Sequence, residues 1–442
     1  MKKGLTFEKL GFIFTMILII LLPFHAFLTT SLTALVSGYS QDLLSKTSYF
    51  VACWKEILMV IMTLMIIIRS FIQKKLPFKI LLIDYFILFL FVWALASAFI
   101  QSASLTQGIL GIRFDFEFFF LYWIIRALNI SQDNLKTILK TLFIVTSIVI
   151  ILGFVQIFLS CDQMTIFGYT SYISSWVASK PLPCGHAVGV SDTIRMMSTF
   201  SGPNQLASYL IVAIMMAWYS LSKVLRTANA KIWMKYIYMV FIALSLTALY
   251  LTYSRGAMIA LLVAFLCLLV LQATDTKKTF GYLVFGIVIS ILIFTANIVL
   301  SPERIDSTKE HFEKPLQGIT MIIEKPWGYG IGMAGPVSMR FPADGSKALV
   351  SESWYLQIAQ EFGVLGGLMF FLLLSYILRY LFQRQSNNTV LDEKEFLQTI
   401  LSVYLGLLIN NLFLHTWSSD MVTSLIFWSL FGIAVSFKHQ DS

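Results

Sequence analysis

The sequence predicts an all-α integral membrane protein of about twelve transmembrane helices, with a large extracytoplasmic loop before the tenth span. Three observations carry this. Of the 442 residues, 58% are hydrophobic and only 12% are charged, where a soluble domain averages about 25% charged; the mean hydropathy is +0.80. Apolar runs long enough to cross a bilayer recur along the whole chain. They do not alternate as barrel strands would, so helices are the one way to satisfy their backbones in lipid. Lys and Arg gather in every second loop, as the positive-inside rule requires.

Taken in order, Lys2, Lys3 and Lys9 precede the first run, at 10–32, which is read as a span rather than a cleaved signal. The second span, 50–72, ends in a loop with Arg69, Lys74, Lys75 and Lys79. Spans 80–101 and 109–127 lead to Arg126, Lys136 and Lys140, and spans 137–160 and 204–222 to Lys223, Arg226, Lys231 and Lys235. Spans 232–252 and 256–272 reach Lys277 and Lys278, and spans 280–300 and 354–382 reach Arg379, Arg384 and Lys394. Spans 397–415 and 420–437 complete the set. The opposite short loops hold little beyond Lys46, Lys55, Arg113 and Arg255. The first set of loops is therefore expected in the cytoplasm, with both termini, and the even span count agrees.

The chain divides into residues 1–300, with nine spans and an outer loop at 161–203; a loop or lid at 301–353; and 354–442, with three spans and a short cytoplasmic tail. Long loops of this kind are often functional. The net charge of +9 does not point to nucleic acid, because the basic residues sit in short loops between apolar runs. Cys161 and Cys184 share the first outer loop, where an oxidising exterior favours a disulfide over two free thiols. Cys53 and Cys267 read as small apolar residues. No Cys/His spacing suggests zinc, no P-loop suggests ATP, and no acidic pair is placed to hold a metal for a nucleotide-sugar. No cofactor is expected.

Several residues are candidates for chemistry. Arg255, in Tyr253-Ser254-Arg255-Gly256-Ala257, is a permanent charge at a membrane edge. Its planar fork of donors suits phosphate, whereas a plain interfacial arginine would snorkel to headgroups. Arg195 precedes Ser198–Ala207, where Pro203-Asn204 marks a turn and a helix start at which anions are favoured. Arg113 sits at i,i+4 from Glu117, so a structural ion pair competes with a binding role. Glu352, in Ser351-Glu352-Ser353-Trp354-Tyr355, lies where the large loop returns to the membrane. It is placed as a general base for a sugar hydroxyl or as a helix-start acid. Glu361, about two turns further in, needs a partner within the bundle. The large loop also carries His311, Arg340 and the run Gly328-Tyr329-Gly330-Ile331-Gly332. That run has no βαβ frame and reads as a flexible turn against the membrane face.

These segments resemble the O-antigen ligase and O-antigen polymerase superfamily of bacterial envelope enzymes. Ser198–Leu210 is similar to the family's Gly-Pro-Asn-x-Leu-Ala block, Tyr253–Leu262 to its Ser-Arg-Gly-Ala block, and Glu352–Gly366 to its large-loop exit. The resemblance covers roughly residues 190–380 and implies a GT-C-like fold. It also implies a metal-independent glycosyltransferase of the bacterial inner membrane, taking an undecaprenyl-diphosphate-linked glycan at the outer face. Lipid bilayer and other polysaccharide assembly proteins would be its partners. Arg255 and Arg195 would hold the diphosphate, and Asn204, Arg113, Tyr355 and Arg340 would contact diphosphate or glycan. Glu352 or His311 would serve the acceptor. Ligases of the family carry a histidine where this chain has Glu352, nine residues before Gly363. That departure favours a repeat-unit polymerase over a ligase that moves finished glycan to lipid A core or another acceptor. A lipid-linked oligosaccharide flippase would also explain many spans, but predicts charge along a central cavity and internal repeats.

Overall fold

The computed structural model describes residues 7–37, 51–101, 104–173, 182–187, 193–273, 275, 277, 281, 305–340, 351–419 and 421–437. It is an all-α membrane protein, and among the described residues eight helices are long and apolar enough to cross a membrane. The span expected at 280–300 lies outside the described residues. Two further helices, Leu105–Leu128 and Leu391–Asn410, match expected spans but carry more charge. The count of twelve is therefore neither reached nor refuted. The chain forms two compact units.

The first unit comprises residues 1–79, 120–254 and 426–442. Its leading span is not one helix but α1 (Phe7–Leu21), a 3-10 turn (Leu22–Phe24) and α2 (His25–Ser37). Pro23 lacks an N–H and breaks the ladder. Thr199 mends the break from both sides: its hydroxyl donates to the Pro23 carbonyl at 2.6 Å, and its carbonyl accepts from the Phe27 N–H at 3.2 Å. Helix α3 (Trp54–Gln73) leaves Ile57, Val60, Leu64, Ile67, Ile68 and Phe71 exposed. Such a surface suits lipid rather than water.

In the second unit, α4 (Leu82–Ile100) and the first part of α5 (Leu105–Leu128) join residues 255–425. The rest of α5 and α6 (Gln132–Ile157) belong to the first unit. After α6 comes a feature absent from the sequence reading. A short helix, α7 (Cys161–Thr165), leads to a three-stranded sheet of β1 (Thr170–Ile173), β2 (Pro183–Ala187) and β3 (Ile194–Arg195). β1 and β2 run parallel, and β2 and β3 antiparallel with His186 opposite Arg195. Ser160 caps α7 in a box with Gln163. Cys161 and Cys184 are bonded, with Cα atoms 5.3 Å apart. Helices α8 (Pro203–Arg226) and α9 (Ile232–Leu251) follow; α8 starts at the proline, a preferred first helical residue.

The second unit continues with α10 (Arg255–Gln272), α11 (Ile305–Glu324), α12 (Gly335–Arg340), α13 (Trp354–Asn387), α14 (Leu391–Asn410), α15 (Thr416–Ser419) and α16 (Met421–Ser436), the last shared with the first unit. α10 and α14 approach closely through small residues. Ala257, Ala260 and Ala264 are fully buried, and a Cβ on Gly406 would meet the Ala260 carbonyl at 2.7 Å. Without a hydrophobic drive in lipid, close backbone approach of this kind holds helices together.

Candidate functional site

Two candidates meet in the first unit. The Arg195 Nε donates to the Thr252 carbonyl at 2.7 Å, and its Nη2 donates to the Asn204 Oδ1 at 2.7 Å. Next to it, the Met196 N–H donates to the Leu251 carbonyl at 2.9 Å. Arg195 thus joins the sheet to the end of α9 and the start of α8, and part of its donor fork is engaged in doing so. Ser198 adopts a left-handed φ of 52° and is held by the Gln156 carboxamide and the Val149 carbonyl, each at 2.6 Å.

The other described candidates lie in the second unit. Arg255 is the first residue of α10, half-buried at a helix N-terminus. There, unsatisfied N–H groups favour an anion. Gly256 sits against the end of α14: an added Cβ would lie 3.4 Å from the Phe413 Cβ and 3.6 Å from the Asn410 Oδ1. The same turn binds the loop that carries Glu352. The Trp354 N–H donates to the Asn411 carbonyl at 3.1 Å, and the Tyr355 hydroxyl donates to the Leu408 carbonyl at 2.7 Å. Trp354 and Trp417 pack edge to face with ring centroids 4.9 Å apart.

Glu352 itself has a left-handed φ of 57°, a conformation that costs a side-chain-bearing residue free energy and recurs at functional sites. Its Oε1 is bonded to the ammonium of Lys314 on α11. The two side chains retain only 16% and 19% of their exposure, so this is a largely desolvated ion pair. His415 interacts electrostatically with both. It lies in the turn between α14 and α15, where its carbonyl accepts from the Ser418 N–H at 3.1 Å. Burial drives the His415 imidazole down to about 4; Glu352 pulls it up and Lys314 pushes it further down. The ring is therefore neutral at physiological pH.

Behind this cluster a second polar network ties the glycine-rich run to α13. The Glu361 carboxyl is bonded to Asp115 and accepts from the Ala334 N–H at 3.1 Å. Gln357 donates to Asp115 at 3.3 Å and accepts from Ser418 at 3.0 Å. The run is not a loose turn. Tyr329 and Gly330 donate to the carbonyls of Gln360 and Glu361 at 2.7 and 3.1 Å, and Ile331 to the Ser97 hydroxyl at 2.9 Å. Gly328, Gly330 and Gly332 all have positive φ. Gly328 meets α13 at Gly363, where φ is 71° and ψ −175° and the helix is interrupted. A Cβ there would lie 2.3 Å from the Pro326 carbonyl oxygen.

The structure thus brings Arg255, Glu352 and Tyr355 to one end of the second unit. Arg113 is half-buried on α5 beside the buried Asp115. His311 lies on α11, one turn before Lys314, and Arg340 ends α12; the side chains of both are outside the described residues. Two residues escaped the sequence reading. Lys314 gave no signal in a loop read without helical periodicity. His415 was absorbed into the apolar run 397–415, although the polar groups Asn410-Asn411 and Thr416 to Ser419 flanking it mark a break between spans.

No curated protein matches the sequence. Residues 240–371 match the family described as O-Antigen ligase. That stretch runs from within α9 to the first half of α13 and contains Arg255, Lys314, Glu352 and Glu361, while Arg195, Asn204 and His415 lie outside it. Together with the apolar helices, it makes the protein a multi-pass, glycosyltransferase-like protein of the inner membrane. Residues 240–371 are thus similar to the O-antigen ligase family, and for this part of the chain the match supports the O-antigen ligase and polymerase superfamily.

Proposed function

We propose that the protein polymerises undecaprenyl-diphosphate-linked oligosaccharide repeat units at the outer face of the cytoplasmic membrane, both of its termini lying in the cytoplasm. The observation that carries this reading is the Lys314–Glu352 ion pair inside the matched region, where the loop of Glu352 is tied through Trp354 to the turn that packs against the helix start of Arg255. Cationic and anionic groups at one membrane edge suit a reaction in which a diphosphate leaves and a hydroxyl attacks. Arg255, with the N–H groups of α10, grips the diphosphate and stabilises its charge as it departs. Arginine then does what a metal ion does in many glycosyl transfers. Glu352 serves the acceptor side of the reaction. Tyr355, Arg113, His311 and Arg340 are proposed as flanking groups of the glycan site, and Arg195 with Asn204 as an anion contact in the first unit. The Cys161–Cys184 bond supports placing the sheet on the oxidising side of the membrane.

A ligase is the second reading, favoured by the family description itself; Glu352 in the histidine slot speaks for the polymerase. The test is the lipid-linked glycan profile of a strain lacking the protein. Single repeat units left on the carrier, with no long chains, mean polymerase. Long chains stranded on the carrier mean ligase. Repeat units trapped on the cytoplasmic leaflet mean flippase and sink the reading. Arg255→Lys keeps the charge but loses the fork, and should abolish polymer while the protein still inserts; full polymer from that variant would remove the diphosphate grip.

A further inference from the structure

We propose that His415 is the catalytic base that takes the acceptor's proton, and that Glu352 positions it. The inference rests on the glycosyl-transfer reading above and deepens it. Three features of the second unit lead to it. One oxygen of Glu352 is already engaged by the Lys314 ammonium, so that oxygen faces lysine rather than a sugar hydroxyl. His415 stands in the electrostatic reach of both partners. Its turn is stitched to the segment after Glu352 by the Trp354–Asn411 and Tyr355–Leu408 bonds and lies against Gly256, next to Arg255. A base, its charged orienter and a diphosphate grip thereby share one end of the unit, each delivered by a different stretch of chain.

The chemistry balances with these groups alone. The acceptor hydroxyl oxygen forms a bond to the anomeric carbon of the donor. The bond from that carbon to the diphosphate oxygen breaks, and its electron pair leaves with the diphosphate, which Arg255 receives. The hydroxyl proton passes to the imidazole, which is neutral at physiological pH. The imidazolium formed is stabilised by the carboxylate of Glu352, the part that the carboxylate plays in other base–carboxylate pairs. The proton then leaves to solvent. Lys314 sets how strongly Glu352 acts on the ring.

The test uses the full-length protein in proteoliposomes, supplied with undecaprenyl-diphosphate-linked repeat units extracted from a strain that lacks it. Chain extension is followed on gels, and donor binding by co-sedimentation. His415→Gln should lower extension by about 100-fold or more, the usual contribution of a general base, with donor binding kept. His415→Ala should recover at least about tenfold when imidazole is added to the medium, since a free base then replaces the missing one. Extension by His415→Gln within about threefold of wild type overturns the proposal. Loss of extension in both variants without recovery by imidazole also overturns it, and assigns the histidine a packing role. Failure of the wild-type protein to extend the donor, seen before any variant is read, is the separate outcome that overturns the glycosyl-transfer reading itself.

Discussion

Replacing Lys314 by Met removes one charge of the Lys314–Glu352 pair while keeping most of the side chain's volume. Two unit charges about 4 Å apart attract by about 4 kcal/mol at an effective dielectric of about 20, and desolvation takes back a large part of that. Removing one partner of a fully buried pair costs about 3–5 kcal/mol, whereas an exposed pair contributes at most about 1 kcal/mol. With 19% and 16% of their side-chain surface still exposed, Lys314 and Glu352 fall nearer the buried limit, and about 2 kcal/mol is expected for the single variant. Glu352→Gln alone should cost a similar amount, because it leaves the ammonium unpaired. The double variant should cost less than the sum, with a coupling energy of about 1–2 kcal/mol. The assay is thermal unfolding in detergent, followed by tryptophan fluorescence, for the four proteins of the cycle. Additive costs, with a coupling below about 0.3 kcal/mol, would show that the pair does not hold α11 to the α13 start, and would remove the orienting role given to Glu352.

Three further outcomes follow from single features. Gly363→Ala forces a side chain into a backbone conformation open only to glycine and against the Pro326 carbonyl; a loss of at least about 3 kcal/mol is expected, read as a fall in the unfolding midpoint, and an unchanged midpoint would refute the interrupted helix. Cys161→Ser should lower stability by about 3 kcal/mol, and reductant should reproduce the shift in the wild type but not in the variant. For His415 the folded value of about 4 lies below the ordinary 6.5, so the unfolded chain binds a proton that the folded chain refuses. Stability is unaffected above pH of about 6.5 and falls as pH drops from there toward 4; midpoints measured across that window should decline less in His415→Gln, Glu352 and Lys314 being the charged neighbours of the ring.

The membrane fold was legible in the sequence because apolar length and loop charge act locally, and each can be read within about 20 residues. The start of α8 at Pro203, the place of Arg255 at the start of an apolar helix and the bond between Cys161 and Cys184 were legible for the same reason. Tertiary pairings were not. Nothing near Thr199 announces that it mends a break at Pro23, and nothing near Lys314 announces Glu352. The break itself was written in Pro23, but an apolar run that continues through a proline reads as one span. The short sheet escaped because its strands are two to five residues long, too short for a period of two to show. His415 escaped because an apolar run extends to the residue just before it and hides the turn.

The interruption at Gly363 has a consequence for how the protein is made. On one side of it, the carbonyls of Gln360 and Glu361 are capped by Tyr329 and Gly330; on the other, the Val364 N–H finds the Pro326 carbonyl at 2.9 Å. Both ends left open by the break are closed by one borrowed stretch of chain. The long helix is thus two pieces of different ancestry in assembly: residues 364–387 need only a bilayer to become helical, whereas 354–362 must wait for a tether that was synthesised before them. On the topology proposed above, the loop that precedes the span is translocated first and stays at hand until its receiver arrives. The start of α13 is completed only later still, when the turn after α14 brings the Asn411 and Leu408 carbonyls to Trp354 and Tyr355, so the order of synthesis itself guards against an early, half-built site.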